Sequence, residues 1–334
     1  MKFVESRSTN PGWNLAMEEY LAGCIPKGEK CLFLWRNDNT IVVGKNQNTL
    51  GEINIDYVRE HKIRVRRRLS GGGAVYHDLG NLCYTLIADA PESGGIDFSP
   101  FCAPVIETIR SFGVEAELSG RNDIMVAGRK ISGNAQYYHN GKVIHHGTIL
   151  FSSNMEVLSQ ALKVDRSKFQ GKGVASVTGR VTNLRDHLPK GTTMADFRQR
   201  LLECIRAEAY IDALTLTLRD LEAIRKLQER YDSWEWNYGY SPAFGRRESR
   251  RIPNCGTVEV YCEMERGMLQ KIQIRGDFFG QKDIAELERM LEGSSGNQSA
   301  ILDRLRSVPI QEYISGISCE MLSELIAPEG ERGN

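Results

Sequence analysis

Apolar and polar positions along the chain change period several times, and each change marks an element. Asn10 followed by Pro11 fits an N-cap and a first helical position. Leu15, Leu21 and Ile25, with Ala and Met between them, give the helix that follows an apolar face. CLFLWRNDNTIVVG (31–44) predicts two β runs around an Asn-Asp-Asn turn. A short helix is expected at 56–61 and another near 100–112. In KIRVRRR (62–68) β-branched residues alternate with charged ones, predicting a strand into Gly71, Gly72 and Gly73. NLCYTLIA (81–88) predicts the strand leading out. NDIMVAGRKISG (122–133) predicts a tight hairpin with Ala-Gly-Arg at its tip, and VIHHGTILF (143–151) another strand.

From 193 to 231 the period becomes helical, with Leu221, Ile224, Leu227 and Tyr231 three or four apart. Strands and helices thus mix without regular βαβ alternation, which predicts an α+β fold, not a doubly wound sheet. SPAFGRRESRRIPNCG (241–256) has the composition of a linker. After it Val258, Val260, Cys262 and Met264 alternate, Arg266-Gly267 turns the chain, and Ile272 and Ile274 alternate again. That is a hairpin. DIAELERMLEG, closed by Gly293, and two further short helical patterns complete a small α+β unit. A chain of 334 residues is long for one core. The expected division is a domain at 1–245 and a small C-terminal accessory domain at 250–334.

Composition narrows the classes. With 41% hydrophobic residues and 43 basic against 43 acidic, the chain is neither disordered nor a general nucleic-acid binder. The first 21 residues lack the apolar core of a signal peptide, and no run approaches a membrane span. The eight cysteines show no CxxC spacing, which predicts reduced thiols in a cytoplasm and no zinc site.

The candidate chemistry centres on RRRLSGGGAVYHDLGN (66–81). Glycine lets a ligand approach backbone amides, and arginines supply paired donors for phosphate or carboxylate oxygens. The run is neither a Walker A loop nor a GxGxxG fingerprint. Residue chemistry alone leaves two readings: a hairpin turn beside solvated arginines, or a phosphate site. Spacing alone favours a solvated Lys130. His145 and His146, in an apolar strand, read as packed or hydrogen-bonded, not as a zinc pair. GKGVASVTGRVTNL (171–184) is a surface loop or a flap hinged at Gly171, Gly173 and Gly179. DSWEWNYGY (232–240) reads as core packing.

Taken in chain order, RRRLSGGGAVYHDLGNLCYT, NDIMVAGRKISGNAQ, HHGTILF, ASVTGRVTNL and SWEWNYG resemble the lipoate-protein ligases of the A type. The N-terminal NPGWNLAMEEYL also fits, and the tail has the size of the family's accessory domain. The resemblance implies the biotin/lipoyl protein ligase catalytic fold, a mixed sheet with flanking helices related to class II aminoacyl-tRNA synthetases. It implies that lipoate and Mg·ATP form lipoyl-adenylate and pyrophosphate. The lipoyl group then passes to a lysine of a lipoyl domain, in 2-oxoacid dehydrogenase acyltransferase subunits or the glycine-cleavage H protein. Lipoate, ATP and Mg²⁺ are substrates, with no tightly bound prosthetic group.

The same resemblance assigns roles. Arg68, Gly73, Ala74, Val75, Tyr76, Ser176 and Val177 would hold the nucleotide. Lys130 would touch both the lipoyl carboxyl and the α-phosphate and serve as the catalytic residue. Arg68, Val75, His146 and Gly147 would line the lipoate pocket, and Asp123, beside Asn122, would meet Mg²⁺. The chain would act as a cytoplasmic monomer, without nucleic acid or membrane. An octanoyltransferase of the same fold needs a cysteine nucleophile, and none lies between Cys102 and Cys204. A transferase of preformed lipoyl-adenylate and a ligase preferring octanoate stay open. A biotin ligase's GRGRxGR run is absent, and an RNA-binding module would need interleaved aromatics.

Overall fold

In the computed structural model, residues 1–91, 95–163, 180–239, 246–265 and 267–327 are described. The first strands are β1 (Lys2–Glu5), β2 (Cys31–Trp35), β3 (Thr40–Val43), β4 (Arg64–Arg67), β5 (Val75–His77) and β6 (Asn81–Asp89). Next come β7 (Ala116–Ser119), β8 (Asp123–Val126), β9 (Arg129–His139), β10 (Lys142–Leu150) and β11 (Asp212–Ala213). β12 (Arg246–Ile252), β13 (Gly256–Glu265) and β14 (Met268–Gly276) close the list.

Eight strands form one mixed sheet in the order β11-β1-β2-β6-β10-β9-β8-β7. β1 runs parallel to β11 and β2, and the other pairs are antiparallel. β2 reads CLFLW without a polar break because both faces are covered. Leu32 and Leu34 join the core formed with helices Ser99–Arg110 and Met194–Glu208. Cys31, Phe33 and Trp35 join the opposite core, with helices Pro11–Cys24 and Leu218–Asp232. Asn10 caps the first of these helices, its side chain accepting from Gly12 and Trp13 amides, an arrangement worth about 1 kcal/mol. Thr193 with Asp196, and Thr217 with Asp220, close capping boxes on two others.

A second sheet has the order β4-β3-β5, with β3 parallel to β4 and antiparallel to β5. The two β runs of CLFLWRNDNTIVVG therefore do not pair with each other: β2 enters the large sheet and β3 the small one. The three glycines lie in the connection from β4 to β5. The predicted hairpin at 122–133 is present, and Ala127 and Gly128 at its tip both have positive φ (49° and 72°), as a two-residue turn requires.

A third, antiparallel sheet, β12-β13-β14, packs with helices Ile284–Leu291, Gln298–Arg306 and Cys319–Ile326 around its own core. The linker expected from composition is corrected over 246–252. There the chain is strand β12, in register with β13 from Arg246–Cys262 to Ile252–Gly256. Paired arginines on either side of Glu248-Ser249 mimic linker composition on a sheet edge, since an edge strand faces water.

Candidate functional site

The three arginines of the 66–68 run do three different jobs. Arg66 pairs with Asp232 near the surface. Arg67 is fully buried and donates from Nε to the Trp236 carbonyl and from Nη1 to the carbonyls of Gly44, Lys45 and Gln47. Its own amide donates to the Asn237 side chain at 2.8 Å. Arg68 is also buried. Its Nη2 donates to the carbonyls of Gly71 and Gly73, both at 2.8 Å, and its Nη1 to that of Val42. One guanidinium thus draws the glycine loop into a closed curve. Burial pulls the Arg68 pKa down to about 10, with the Glu18 carboxylate opposing the shift, so it stays charged at neutral pH.

Ser70 ties this loop to the large sheet. Its Oγ accepts from Arg68 Nε at 2.9 Å and lies 2.7 Å from His146 Nε2 on β10. His146 Nδ1 faces Glu18 at 2.9 and 3.0 Å. A carboxylate only accepts, so His146 donates to it from Nδ1, and this fixes the ring with Nε2 on the serine hydroxyl. Thr85 donates to Glu18 at 2.7 Å, and Trp35 donates to Thr85 at 3.0 Å. His145 points the other way. It stacks on Phe101 and hydrogen-bonds Gln136 and Asn134, and burial holds it neutral, its pKa well below the usual imidazole value. Both histidines are hydrogen-bonded, as their apolar strand predicted.

Gly147 is required by crowding. A Cβ there would overlap the Asn134 side chain and the Tyr84 ring. Asn134 in turn donates to the Asn122 carbonyl from both its amide and its side chain, at 3.0 Å each. On the same hairpin Lys130 Nζ lies 2.7 Å from Asp123 Oδ1, with both side chains about one-third exposed (31% and 34%). The Lys130 backbone is fixed by bonds to Arg180 and Thr182. Gly73, Ala74 and Val75 are half-buried on the loop and the start of β5. Tyr76 is buried in the small-sheet core with its hydroxyl on Asn39. Ser176, Val177 and most of the expected flap lie outside the described residues.

The C-terminal unit reaches the loop. A Cβ on Gly71 would overlap the Phe278 carbonyl, and one on Gly72 (φ 89°) would come within 3.2 Å of the Phe279 ring. Phe279 packs on Phe98 and lies under the Arg121 guanidinium, which donates to the carbonyls of Cys255 and Asp277.

Two buried cysteines lie near buried histidines. Cys102 Sγ sits 4.0 Å from His145 Nε2, and Cys83 Sγ sits 3.7 Å from His77 Nδ1. Neither is a poised nucleophile. Burial pushes the Cys102 thiol up to about 12 and the Cys83 thiol well above its ordinary value. Glu18, Ser70, Arg67 and Asn237 were missed as contributors. Asn237 lay inside SWEWNYG, but that cluster is only partly core: Trp234 is 66% exposed, and the buried polar Asn237 does the joining. Among the described residues no group of three or more His, Cys, Asp or Glu side chains is placed to hold a metal.

Comparison with known proteins is consistent along the chain. Residues 10–206 match the model of the lipoyl protein ligase A/B catalytic domain, and 241–326 that of the bacterial lipoate protein ligase C-terminus. Lipoate-protein ligase LplJ of Bacillus subtilis is 42% identical over 98% of this chain and 100% of its own. Lipoate–protein ligase 1 of Staphylococcus aureus is 37% identical over the same shares. The fold is similar to that of P. falciparum LipL1 in complex with lipoate (TM-score 0.77, 23% identity, 92% of this chain and 94% of the other). It is also similar to a lipoate-protein ligase A bound with ATP (0.60, 26%, 71% and 97%). A bipartite lipoate protein ligase of Thermoplasma acidophilum, described with its E2 lipoyl domain, aligns at 0.63 with 27% identity over 73% and 98%.

Proposed function

The chain belongs to the lipoate-protein ligase family, and from that premise we propose that it joins lipoate to protein in two steps through lipoyl-adenylate. It is a ligase enzyme. What carries the two-step reading is the glycine loop, shaped by the buried Arg68 and tied through Ser70 to His146 on the central sheet. A carboxylate is a poor acyl donor, and two anions must be brought together to activate it. That demands fixed positive charge and donors set in place before reaction. The relatives bound with lipoate and with ATP are consistent with both ligands sharing such a site.

In the first step a lipoate carboxylate oxygen attacks the α-phosphorus of ATP. The new O–P bond forms as the bond to pyrophosphate breaks, and pyrophosphate leaves with Mg²⁺, which enters as part of the substrate. Lys130 contacts the carboxylate and the α-phosphate. Arg68 sets the curve of the loop on which Gly73, Ala74, Val75 and Tyr76 meet the nucleotide, with Ser176 and Val177 completing it. Because its hydrogen bonds go to neutral oxygens, Arg68 contributes charge and shape more than direct contact. Val75, His146 and Gly147 line the acyl side. In the second step the acceptor lysine amine attacks the acyl carbon, AMP leaves, and the amine gives up a proton. Lys130 polarises the carbonyl.

Acceptors are lipoyl domains of 2-oxoacid dehydrogenase complexes and the glycine-cleavage H protein, in line with the Thermoplasma relative described with its lipoyl domain. The enzyme works as a cytoplasmic monomer divided near 245–250, without nucleic acid or membrane. No described helix is long and apolar enough to cross a membrane. Phe278 and Phe279 press on Gly71 and Gly72, so the accessory unit moves off the loop when adenylate forms. The test is lipoate-dependent ATP–pyrophosphate exchange, run beside octanoate and biotin. Exchange with lipoate is expected. No exchange, with transfer from supplied lipoyl-adenylate, would replace the reading with a transferase that depends on activation elsewhere.

A further inference from the structure

We propose that Asp123 is the resident counter-ion of Lys130, parking its amine across Gly133 until an anionic substrate takes the amine over, and that it does not serve as a metal ligand. The proposal rests on the reading of Lys130 as the substrate-contacting lysine. It begins from the register of the hairpin. Asp123 pairs with Gly133 and Ile124 with Ser132, but Met125 pairs with Lys130, so Ile131 is an extra residue in β9. In a regular strand residues 130 and 133 would face opposite sides of the sheet. One extra residue puts Lys130 on the face of Asp123 and Gly133.

Gly133 then explains itself. It is absent from the positive-φ positions, so its backbone does not ask for glycine. A Cβ there would instead lie 2.8 Å from Lys130 Nζ and 3.0 Å from Cε. The space is needed because the lysine side chain lies down over it to reach Asp123 at 2.7 Å. Lys130's amide donates to Arg180 and its carbonyl accepts from Thr182, so the backbone is held and release must come from the side chain turning. An ion pair one-third open to water is weak, and a competing carboxylate or phosphate can displace it.

The donor set does not fit a resident Mg²⁺. That ion takes a near-octahedral shell of oxygens and usually one or two free carboxylates beside phosphate. Here an ammonium lies on Asp123 Oδ1, so a metal ion at that oxygen would first have to displace it.

The experiment uses the full chain, its Asp123→Asn and Gly133→Ala variants, and pyrophosphate exchange at varied lipoate and Mg²⁺. Asp123→Asn removes the partner, and Gly133→Ala crowds the parked amine, whose side chain must shift to clear the added methyl. By different means both relieve the substrate of displacing Asp123. Both should lower the KM for lipoate by about threefold, the worth of an exposed ion pair, with a smaller effect on kcat and the same half-saturating Mg²⁺. A raised Mg²⁺ requirement in Asp123→Asn alone would overturn the proposal in favour of a metal ligand. An unchanged or raised lipoate KM in Asp123→Asn would overturn it in favour of a merely structural pair. A readout free of activity separates failure of the pairing from failure of the functional reading: acetylation of Lys130 by acetic anhydride, followed by mass spectrometry. It should run about threefold faster in Asp123→Asn. Equal rates would reject the parked pair whether or not the enzyme exchanges pyrophosphate.

Discussion

His146 Nε2 lies 2.7 Å from Ser70 Oγ, and this one hydrogen bond joins the central strand β10 to the glycine loop. Glu18 fixes the imidazole from its other side, and Arg68 Nε donates to the same serine oxygen. The loop is thus positioned by the sheet core, not by its own flexible backbone.

Ser70→Ala should therefore cost stability and activity together. It removes the shorter of two acceptors from the buried Arg68 Nε–H, leaving only the Gly71 carbonyl at 3.2 Å, and leaves His146 Nε2 without its partner, a loss of about 1–3 kcal/mol. Chemical denaturation should show that loss, and pyrophosphate exchange should fall by more than the loss of folded protein explains. A variant as stable and active as the parent would mean the loop keeps its shape without the serine.

Arg68→Lys should fail although it keeps the charge. A lysine ammonium cannot reach the Val42, Gly71 and Gly73 carbonyls at once, because it lacks the planar fork. Displacing a phosphate loop by about 1 Å is worth roughly a hundredfold in rate. Exchange kinetics on folded variant protein would show it. Activity within a few-fold of the parent would make Arg68 a source of charge only.

Much of this was legible in advance, for reasons that differ by element. The Asn10 cap, the Ala127-Gly128 tip and the strand periods of β6 and β10 are local, and local chemistry decides them. The expected roles of the glycine loop and Lys130 came from the order of the sequence blocks. Which arginine does what was not legible. Arg66, Arg67 and Arg68 look alike in sequence, and only the packing of Asn237 and Gly44 sends one inward, one along the loop and one to Asp232. The approach of Cys102 to His145 was not legible, because distance along the chain says little about distance across a sheet. β12 was read as linker because exposure, not disorder, set its composition.

Gly71→Ala should lift the accessory unit. The added methyl has no room beside the Phe278 carbonyl, and Gly71 has no positive φ that alanine would strain. The contact with the C-terminal unit is expected to open while each core stays folded. Small-angle scattering should show a larger radius of gyration than in the parent without substrate. Coincident profiles would mean that the loop yields instead.

Acid should destabilise the fold from neutrality downward. Burial, helped by the Arg68 charge, pulls the His77 pKa from 6.5 to about 3, and burial also takes His145 well below its ordinary value. Both are neutral when folded and bind a proton readily when unfolded. Stability is therefore full above about pH 6.5 and falls as pH drops toward 3, by on the order of 1 kcal/mol per unit for each group. Denaturant midpoints between pH 7.5 and 5 would measure the slope, and His77→Gln should flatten it. A slope unchanged in that variant would assign the effect to other groups.

Lys130→Ala is the substitution that most directly tests the chemistry. The side chain is about one-third exposed and its partner Asp123 is equally open, so folding should change by less than about 0.5 kcal/mol. If the amine meets the carboxylate and the α-phosphate during activation, it supplies charge where charge develops, and its removal should cost roughly a hundredfold to a thousandfold in pyrophosphate exchange. Transfer from supplied lipoyl-adenylate should fall as well, because the same amine polarises the acyl carbonyl. Lys130→Arg should recover little. The guanidinium is longer and planar, and its fixed fork cannot place a single compact charge between the carboxylate and the α-phosphate. Loss of exchange with transfer preserved would confine Lys130 to the first step. Exchange near the parent level in Lys130→Ala would remove it from the chemistry and return attention to Arg68 and the loop.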